Sequence, residues 1–280
     1  MPPGGDASSQ LRALFDELGD QEWERLDRDA RSRASFEIHR RFLGRFMSPG
    51  MRVLEVGAGP GRFTIELAKL GCRVLVTDIS PVQLALNEQY VQRAGFASAV
   101  EARRQMDVCD LGNLGDQEFD AVLAYGGPVS YAFERAEASL ADMLRVTRSG
   151  GFVVASVMAL VGTLRFFLRA LPEYAAATRL DVLERVVATA DNRHDTGSHP
   201  CRMFRWREVA AMVGRLPCRL AGASASNCLT CGDQDVVEAV EADPSLWRVL
   251  LDWEEEMCAE PGALDGGTHL LFALQALQGR

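Results

Sequence analysis

The run Val53–Thr64, VLEVGAGPGRFT, constrains the fold more than any other stretch of the chain. An apolar strand that ends directly in closely spaced glycines and runs on into helix-forming residues is a strand–turn–helix unit. Glycine allows so tight a turn and lets a ligand approach the main chain. The unit then repeats. Met51–Val56 reads as a buried strand, Phe63–Leu70 as a helix and Arg73–Thr77 as a second buried strand. Ser80-Pro81-Val82-Gln83 predicts a helix start, with Ser80 as N-cap, Pro81 at the first helical position and Gln83 completing a capping box. Gly95 stops that helix after about Ala94. Further strands are expected near Val100–Arg104, Asp120–Ala124 and Phe152–Val157, with a helix over Ala136–Thr147 closed by Ser149-Gly150-Gly151. Beyond them come a helix at Arg205–Leu216, a strand at Leu220–Ser226, a helix at Ser245–Cys258 and a last strand at Thr268–Leu274. This alternation, with connections so short, predicts an α/β chain built on a doubly wound, mostly parallel seven-stranded sheet.

Two regions stand outside the rhythm. Residues 1–9, with two Pro, two Gly and two Ser, read as a disordered tail, and residues 10–49 as a helical cap segment. Leu11, Leu14, Phe15 and Leu18 fall at helical spacing, as do Phe36, Leu43 and Phe46, and Ser48-Pro49-Gly50 stops the second helix. Residues 50–280 then form the main domain, interrupted at about 160–200 by an insertion expected to act as a lid.

The strongest candidate site is the glycine turn with the acids downstream of it. A dinucleotide fingerprint needs Gly-x-Gly-x-x-Gly, and Arg62 stands where its last glycine would be. The pattern here is Gly-x-Gly-x-Gly, with Glu55 two residues before Gly57. It resembles motif I of the class I S-adenosylmethionine-dependent methyltransferases, whose sheet is Rossmann-like. That resemblance implies that Glu55, Gly57, Ala58, Gly59 and Gly61 cradle the methionine end of S-adenosylmethionine. Asp78, at the tip of the second strand with Ile79 beside it, would hold the ribose, about twenty residues past the glycines. Met106-Asp107-Val108-Cys109-Asp110-Leu111 resembles the adenine motif, with Asp107 accepting from the amino group, the Val108 amide donating to the ring, and Asp110 as second choice. Phe119–Pro128 matches the region where, at the strand tip, the transferred methyl meets its acceptor, with Ala124 counted among the cofactor-binding residues, and Met143–Gly151 the helix and turn before the fifth strand. The resemblance is close over roughly residues 50–160 and thins to pattern from Met203 to Leu274. It says nothing of the first 49 residues or of the insertion.

Methyl transfer is an in-line displacement that asks for alignment, exclusion of water and, for some acceptors, removal of a proton. Tyr125, Tyr131 and His199 are the catalytic candidates, with Glu134, His39, His194 and His269 as further bases. Lys69, the only lysine, sits in the helix after the glycine turn and is a poor base candidate. The signature of the amino-methyltransferases (Asp or Asn, Pro, Pro, aromatic) is absent after Ala124, which argues against exocyclic amino groups of nucleobases.

Charge narrows the partners. A net charge of −9 repels polyphosphate, and the one arginine-rich stretch, Arg25–Arg45, is interrupted by Asp27, Asp29 and Glu37 and reads as a solvated helix face. The expected partner is a small-molecule acceptor rather than nucleic acid or a membrane, for a monomer or homodimer in the cytoplasm. No apolar run reaches spanning length and the first ten residues lack a signal-peptide pattern. The seven cysteines form no disulfide framework, and Cys228-Leu229-Thr230-Cys231 has no second pair to make a zinc site, so no metal is expected. An arsenite-type acceptor on a cysteine set is the sharper reading of these thiols; small buried apolar side chains are the plainer one. Three rivals stay open: a nicotinamide oxidoreductase, a catalytically silent methyltransferase-like subunit, and an aminopropyltransferase on the same fold.

Overall fold

In the computed structural model, which describes residues 7–177, 180–193 and 199–277, the chain builds one seven-stranded sheet with helices on both faces. Three helices come first: α1 (Ala7–Leu18), α2 (Gln21–Glu24) and α3 (Ala30–Gly44). The alternating body follows as β1 (Arg52–Val56), α4 (Arg62–Lys69), β2 (Arg73–Asp78), α5 (Pro81–Arg93) and β3 (Val100–Gln105). It continues with β4 (Phe119–Ala124), α6 (Pro128–Tyr131), α7 (Ala136–Val146) and β5 (Thr147–Met158). The insertion contributes α8 (Leu160–Phe167), α9 (Leu171–Ala177) and α10 (Leu180–Thr189). The chain then closes with α11 (Trp206–Val213), β6 (Cys218–Ala225), α12 (Gln234–Glu241), α13 (Pro244–Cys258) and β7 (His269–Ala276).

The strand order is β3-β2-β1-β4-β5-β7-β6, and β7 alone runs antiparallel, between β5 and β6. The apolar runs of the sequence are continuous because both faces are covered. In β1, Leu54 and Val56 enter one core while Val53 enters the other. In β4, Val122 and Ala124 go to the first and Ala121 and Leu123 to the second; β7 splits the same way, Phe272 against Leu271. The first core lies under α7 and α11, and the second under α3 and α4, which supply Leu140, Val209, Phe42 and Leu67. Strand order reverses between β1 and β4, so a crevice opens at the carboxyl ends of those two strands.

Several boundaries differ from the sequence expectation. The helix α1 begins at Ala7, so residues 7–9 are helical rather than part of a tail. Leu11 is buried, and the Gln83 side-chain amide holds the carbonyls of Phe15 and Gly19, each at 3.0 Å. That contact also corrects the capping box. Ser80 Oγ does accept from Gln83 N at 3.0 Å, but the Gln83 side chain reaches across to α1 instead of back to Ser80. Strand β5 starts at Thr147, earlier than Phe152, because Thr147 already pairs with Phe119. The insertion is pinned at its end rather than free: Asp191 bridges Arg202, and Asn192 Nδ2 donates to the His199 carbonyl at 2.8 Å. Ala190, Cys201 and Met203 pack there on Leu160. His194 lies outside the described residues.

Candidate active site

The crevice at the ends of β1 and β4 holds a cavity of about 230 Å³. Its floor is the glycine turn. Gly57 has φ +64°, and a Cβ there would stand 2.5 Å from Pro128 Cγ, so any side chain collides with the start of α6. Gly59 has φ +53° and faces open space, while its N–H donates to Asp78 Oδ2 at 2.8 Å. Asp78 Oδ1 accepts from Ser80 N at 2.8 Å, so one carboxylate at the tip of β2 locks the glycine turn to the head of α5. Burial pushes the Asp78 carboxyl up to about 6 against the pull of these N–H groups, and the charge of Glu22 adds to the rise.

Of the cofactor candidates, Gly57, Ala58, Gly59, Asp78, Ile79, Asp107 and Val108 line the cavity. Glu55, Gly61 and Ala124 do not line it. Glu55 lies 2% exposed behind the turn, where Thr64 Oγ1 donates to its Oε2 at 2.6 Å. Asn87 Nδ2 donates to Thr64 Oγ1 at 2.8 Å, and Arg103 Nε to Asn87 Oδ1 at 2.9 Å. Glu55 therefore positions α4 from below through a buried polar relay rather than touching a ligand, and Gly61 is confined by the same Asn87.

Burial raises the Glu55 carboxyl to about 8. Its folded pKa lies above the unfolded value, so the stability it lends is complete below about 4.5 and is lost as pH rises through 8. Glu55→Gln should thus raise the melting temperature most above pH 8 and leave it unchanged near pH 4. Melting curves across that range check this, and an equal gain at every pH would refute it.

At the adenine-type end, Asp107 Oδ1 accepts from Cys109 N at 2.8 Å, and Ser8 Oγ of α1 donates to Oδ2. Among the described residues the neighbouring Val108 N–H has no acceptor. An acid beside a free N–H is the donor–acceptor pair that the edge of an adenine presents in mirror image. Asp110, the second choice, uses Oδ1 on Gly112 N at 3.4 Å and does not line the cavity.

The opposite end is aromatic. Tyr125 and Tyr131 line the cavity; His199 does not. The His199 ring stacks on Tyr131, with centroids 5.3 Å apart, and packs on Phe15 at 5.1 Å; its Nε2 is buried without a partner. Burial lowers the His199 pKa, which leaves the imidazole neutral at pH 7. Burial raises both tyrosine phenols, so they act as neutral O–H groups and not as phenolate bases. Tyr125 Oη donates to the His39 carbonyl at 3.4 Å. His39 is held by Ser35 O and lowered to about 4 by burial, and burial also lowers His269, packed on it, well below the usual imidazole range. Glu134 is paired with Arg193.

Sequence reasoning missed the contribution of the first helices. Ser8, Phe15, Glu22 and Arg25 all line the cavity. The arginine-rich stretch is therefore not simply a solvated face, because Arg25 turns inward. Trp23 stacks on Tyr90 with ring centroids 3.9 Å apart, and Arg62 donates to the Trp23 carbonyl at 3.0 and 3.1 Å, which clamps α2 over the glycine turn. The Glu22/Arg25 spacing of an ion pair one helical turn apart is the single sequence signal, and it is common on solvated helices.

The CxxC pair also takes other work. Cys231 Sγ donates to the Gly162 carbonyl, whereas Cys228 gathers with Glu254 and Cys258 in a buried cluster away from the crevice.

Residues 53–151 match the family model described as a methyltransferase domain. A demethylmenaquinone methyltransferase of Mycobacterium marinum is 34% identical over 139 residues, 47% of this chain and 54% of that protein. An uncharacterized protein of Mycobacterium tuberculosis is 30% identical over 107 residues, 38% of this chain and 37% of that protein. The chain thus spans about half the length, or less, of these curated relatives. Over nearly its whole length it shares its fold with the 1,6-didemethyltoxoflavin-N1-methyltransferase of Burkholderia thailandensis, solved with S-adenosylhomocysteine bound. There the identity is 17%, the coverage 99% of this chain and 93% of that one, and the TM-score 0.54. No helix among the described residues is long and apolar enough to cross a membrane. The likeness to methyltransferases thus rests on residues 53–151, which contain the glycine turn and are set in a Rossmann-like seven-stranded sheet.

Proposed function

We propose that the chain transfers a methyl group from S-adenosylmethionine to a small-molecule acceptor. One observation carries the reading: the Gly57–Gly59 turn, the Asp78 carboxylate and the Asp107/Val108 pair converge on a single cavity at the switch point of the sheet. Bound there, S-adenosylmethionine supplies a sulfonium methyl for direct displacement. Asp78 then offers its free lone pairs to the ribose hydroxyls, and Asp107 with the Val108 amide reads the adenine edge. Residues 10–49 and the insertion at about 160–200 serve as the two walls of the cavity, meeting where Phe15 packs on His199. Together they exclude water from the β4 tip, so proximity supplies most of the rate. His199, neutral and with Nε2 unpartnered, is the residue best prepared to take a proton behind Tyr131.

S-adenosylhomocysteine should raise the melting temperature, with about 2.7 kcal/mol added at 100 times its dissociation constant. NADH should give no shift. A folded sample that ignores millimolar S-adenosylhomocysteine removes the reading, and a shift with NADH alone would favour an oxidoreductase. Transfer of labelled methyl into a metabolite extract then identifies the acceptor.

A further inference from the structure

Four arginines line the cavity, and three of them spend at least one terminal nitrogen on protein groups. Arg62 holds the Trp23 carbonyl, Arg135 the Cys109 carbonyl, and Arg193 spends its donors on Asp191 and Glu134. Arg25 differs. Its Nε donates to Glu22 Oε2 at 3.0 Å, while Nη1 and Nη2 have no hydrogen-bond partner among the described residues. A guanidinium has two hydrogen-bonding edges, and the edge formed by the two terminal nitrogens matches a carboxylate with two parallel bonds. Glu22 holds the other side and so fixes the head without consuming that edge.

The placement is equally specific. A Cβ built on Gly126 would stand 3.8 Å from Arg25 Nη2, so the free edge lies at the tip of β4, where the methionine end of the cofactor and the acceptor meet. The segment that carries Arg25 is held there by the Trp23–Tyr90 stack and the Arg62–Trp23 bonds. With its side chain 38% exposed, Arg25 keeps those donors open to the cavity, where an entering anion can pair with them.

We propose that Arg25 is the carboxylate-binding residue of this site, delivered to the β4 tip by the N-terminal helices and oriented by Glu22. The proposal rests on the methyltransferase reading and adds to it the chemical class of what binds beside the methyl: a carboxylate, borne either by the amino-acid end of the cofactor or by the acceptor.

Calorimetry on the full chain separates the two sources. One arm compares S-adenosylhomocysteine with its decarboxylated analogue, which keeps the amine. The other adds benzoate or benzamide to protein saturated with S-adenosylhomocysteine. If the cofactor's carboxylate is read, the wild type prefers S-adenosylhomocysteine at least tenfold and Arg25→Leu abolishes the preference. If the acceptor's is read, the wild-type complex prefers benzoate at least tenfold and the same substitution abolishes that preference. Arg25→Lys, with charge but no fork, should fall between. Unchanged affinity of Arg25→Leu for the two carboxylate-free probes shows that its pocket is intact. Should Arg25→Leu leave both ratios as in the wild type, or the wild type show neither preference, the proposal is overturned while the methyltransferase reading stands. Failure of the wild type to bind S-adenosylhomocysteine at all overturns both.

Discussion

Glu254→Ala should cost about 3–5 kcal/mol of stability, on the order of a 10 °C fall in melting temperature. Glu254 is fully buried on α13, and its carboxylate is the shared acceptor of a whole turn: Oε1 takes the N–H of Cys228 and of Leu229 (2.9 Å), and Oε2 takes that of Thr230 at 2.7 Å. The thiol of Cys258 donates to Oε1 as well, at 3.1 Å. Truncation leaves three main-chain donors without acceptors in a place that water does not reach. The same turn carries the Cys228 carbonyl that Arg165 of α8 holds at 3.0 Å, so the insertion should loosen with it. Glu254→Gln keeps one acceptor oxygen and should lose less. Thermal and urea unfolding measure both; a melting temperature within 2 °C of the wild type for the alanine variant would refute the assignment.

Asp78→Ala should weaken S-adenosylhomocysteine binding by ten- to a hundredfold or more, the worth of a charge-assisted bond of about 1.5–3 kcal/mol. It should also lower stability, which the sequence alone does not suggest, because Gly59 N and Ser80 N lose their acceptor together. The Asn variant separates the two effects, since it retains an acceptor without the charge. With the Asp78 carboxyl raised to about 6 by burial, the ionised form that grips hydroxyls best is present above that pH. Wild-type affinity should therefore decline as pH falls through 6, whereas Asp78→Asn should stay flat. Calorimetric titrations between pH 5 and 8 decide the matter; parallel pH profiles would show that Asp78 does not face the ligand.

The fold was legible in the sequence wherever the period of the apolar residues is set by the sheet. The strands from Arg52 to Ala124 are apolar on both sides because both sides are covered, and the glycine turn announces the crevice. That Asp78 and Asp107 would line the crevice was legible for a related reason: both follow directly from the chain direction at a strand tip. What escaped depends on contacts between distant segments. Gln83 has the right spacing for a capping box, yet the carbonyl end of α1 competes for its amide and wins. Arg25 looks like any solvated arginine until α2 is placed across the glycine turn. Glu55 sits in the motif but behind the loop, because strand residues alternate in direction and its neighbours Leu54 and Val56 claim the opposite face. Glu254 carries no local signal, since its partners are main-chain groups on a turn more than twenty residues earlier.

The antiparallel β7 has a consequence for how the chain is made. In the sheet β6 touches β7 and nothing else, and β7 lies between it and β5. During synthesis β6 therefore leaves the ribosome with no neighbour to pair with, and two helices must be translated before its partner strand arrives. At ordinary elongation rates that interval lasts on the order of seconds, in which an unpaired strand is open to other chains. The early half of the sheet, β1 to β5, has all its parallel partners by then and can collapse around the glycine turn. Strand β7 must afterwards thread its apolar side chains between β5 and the waiting edge. Translation speed over α12 and α13 is thus a lever on yield that no property of the finished molecule reveals.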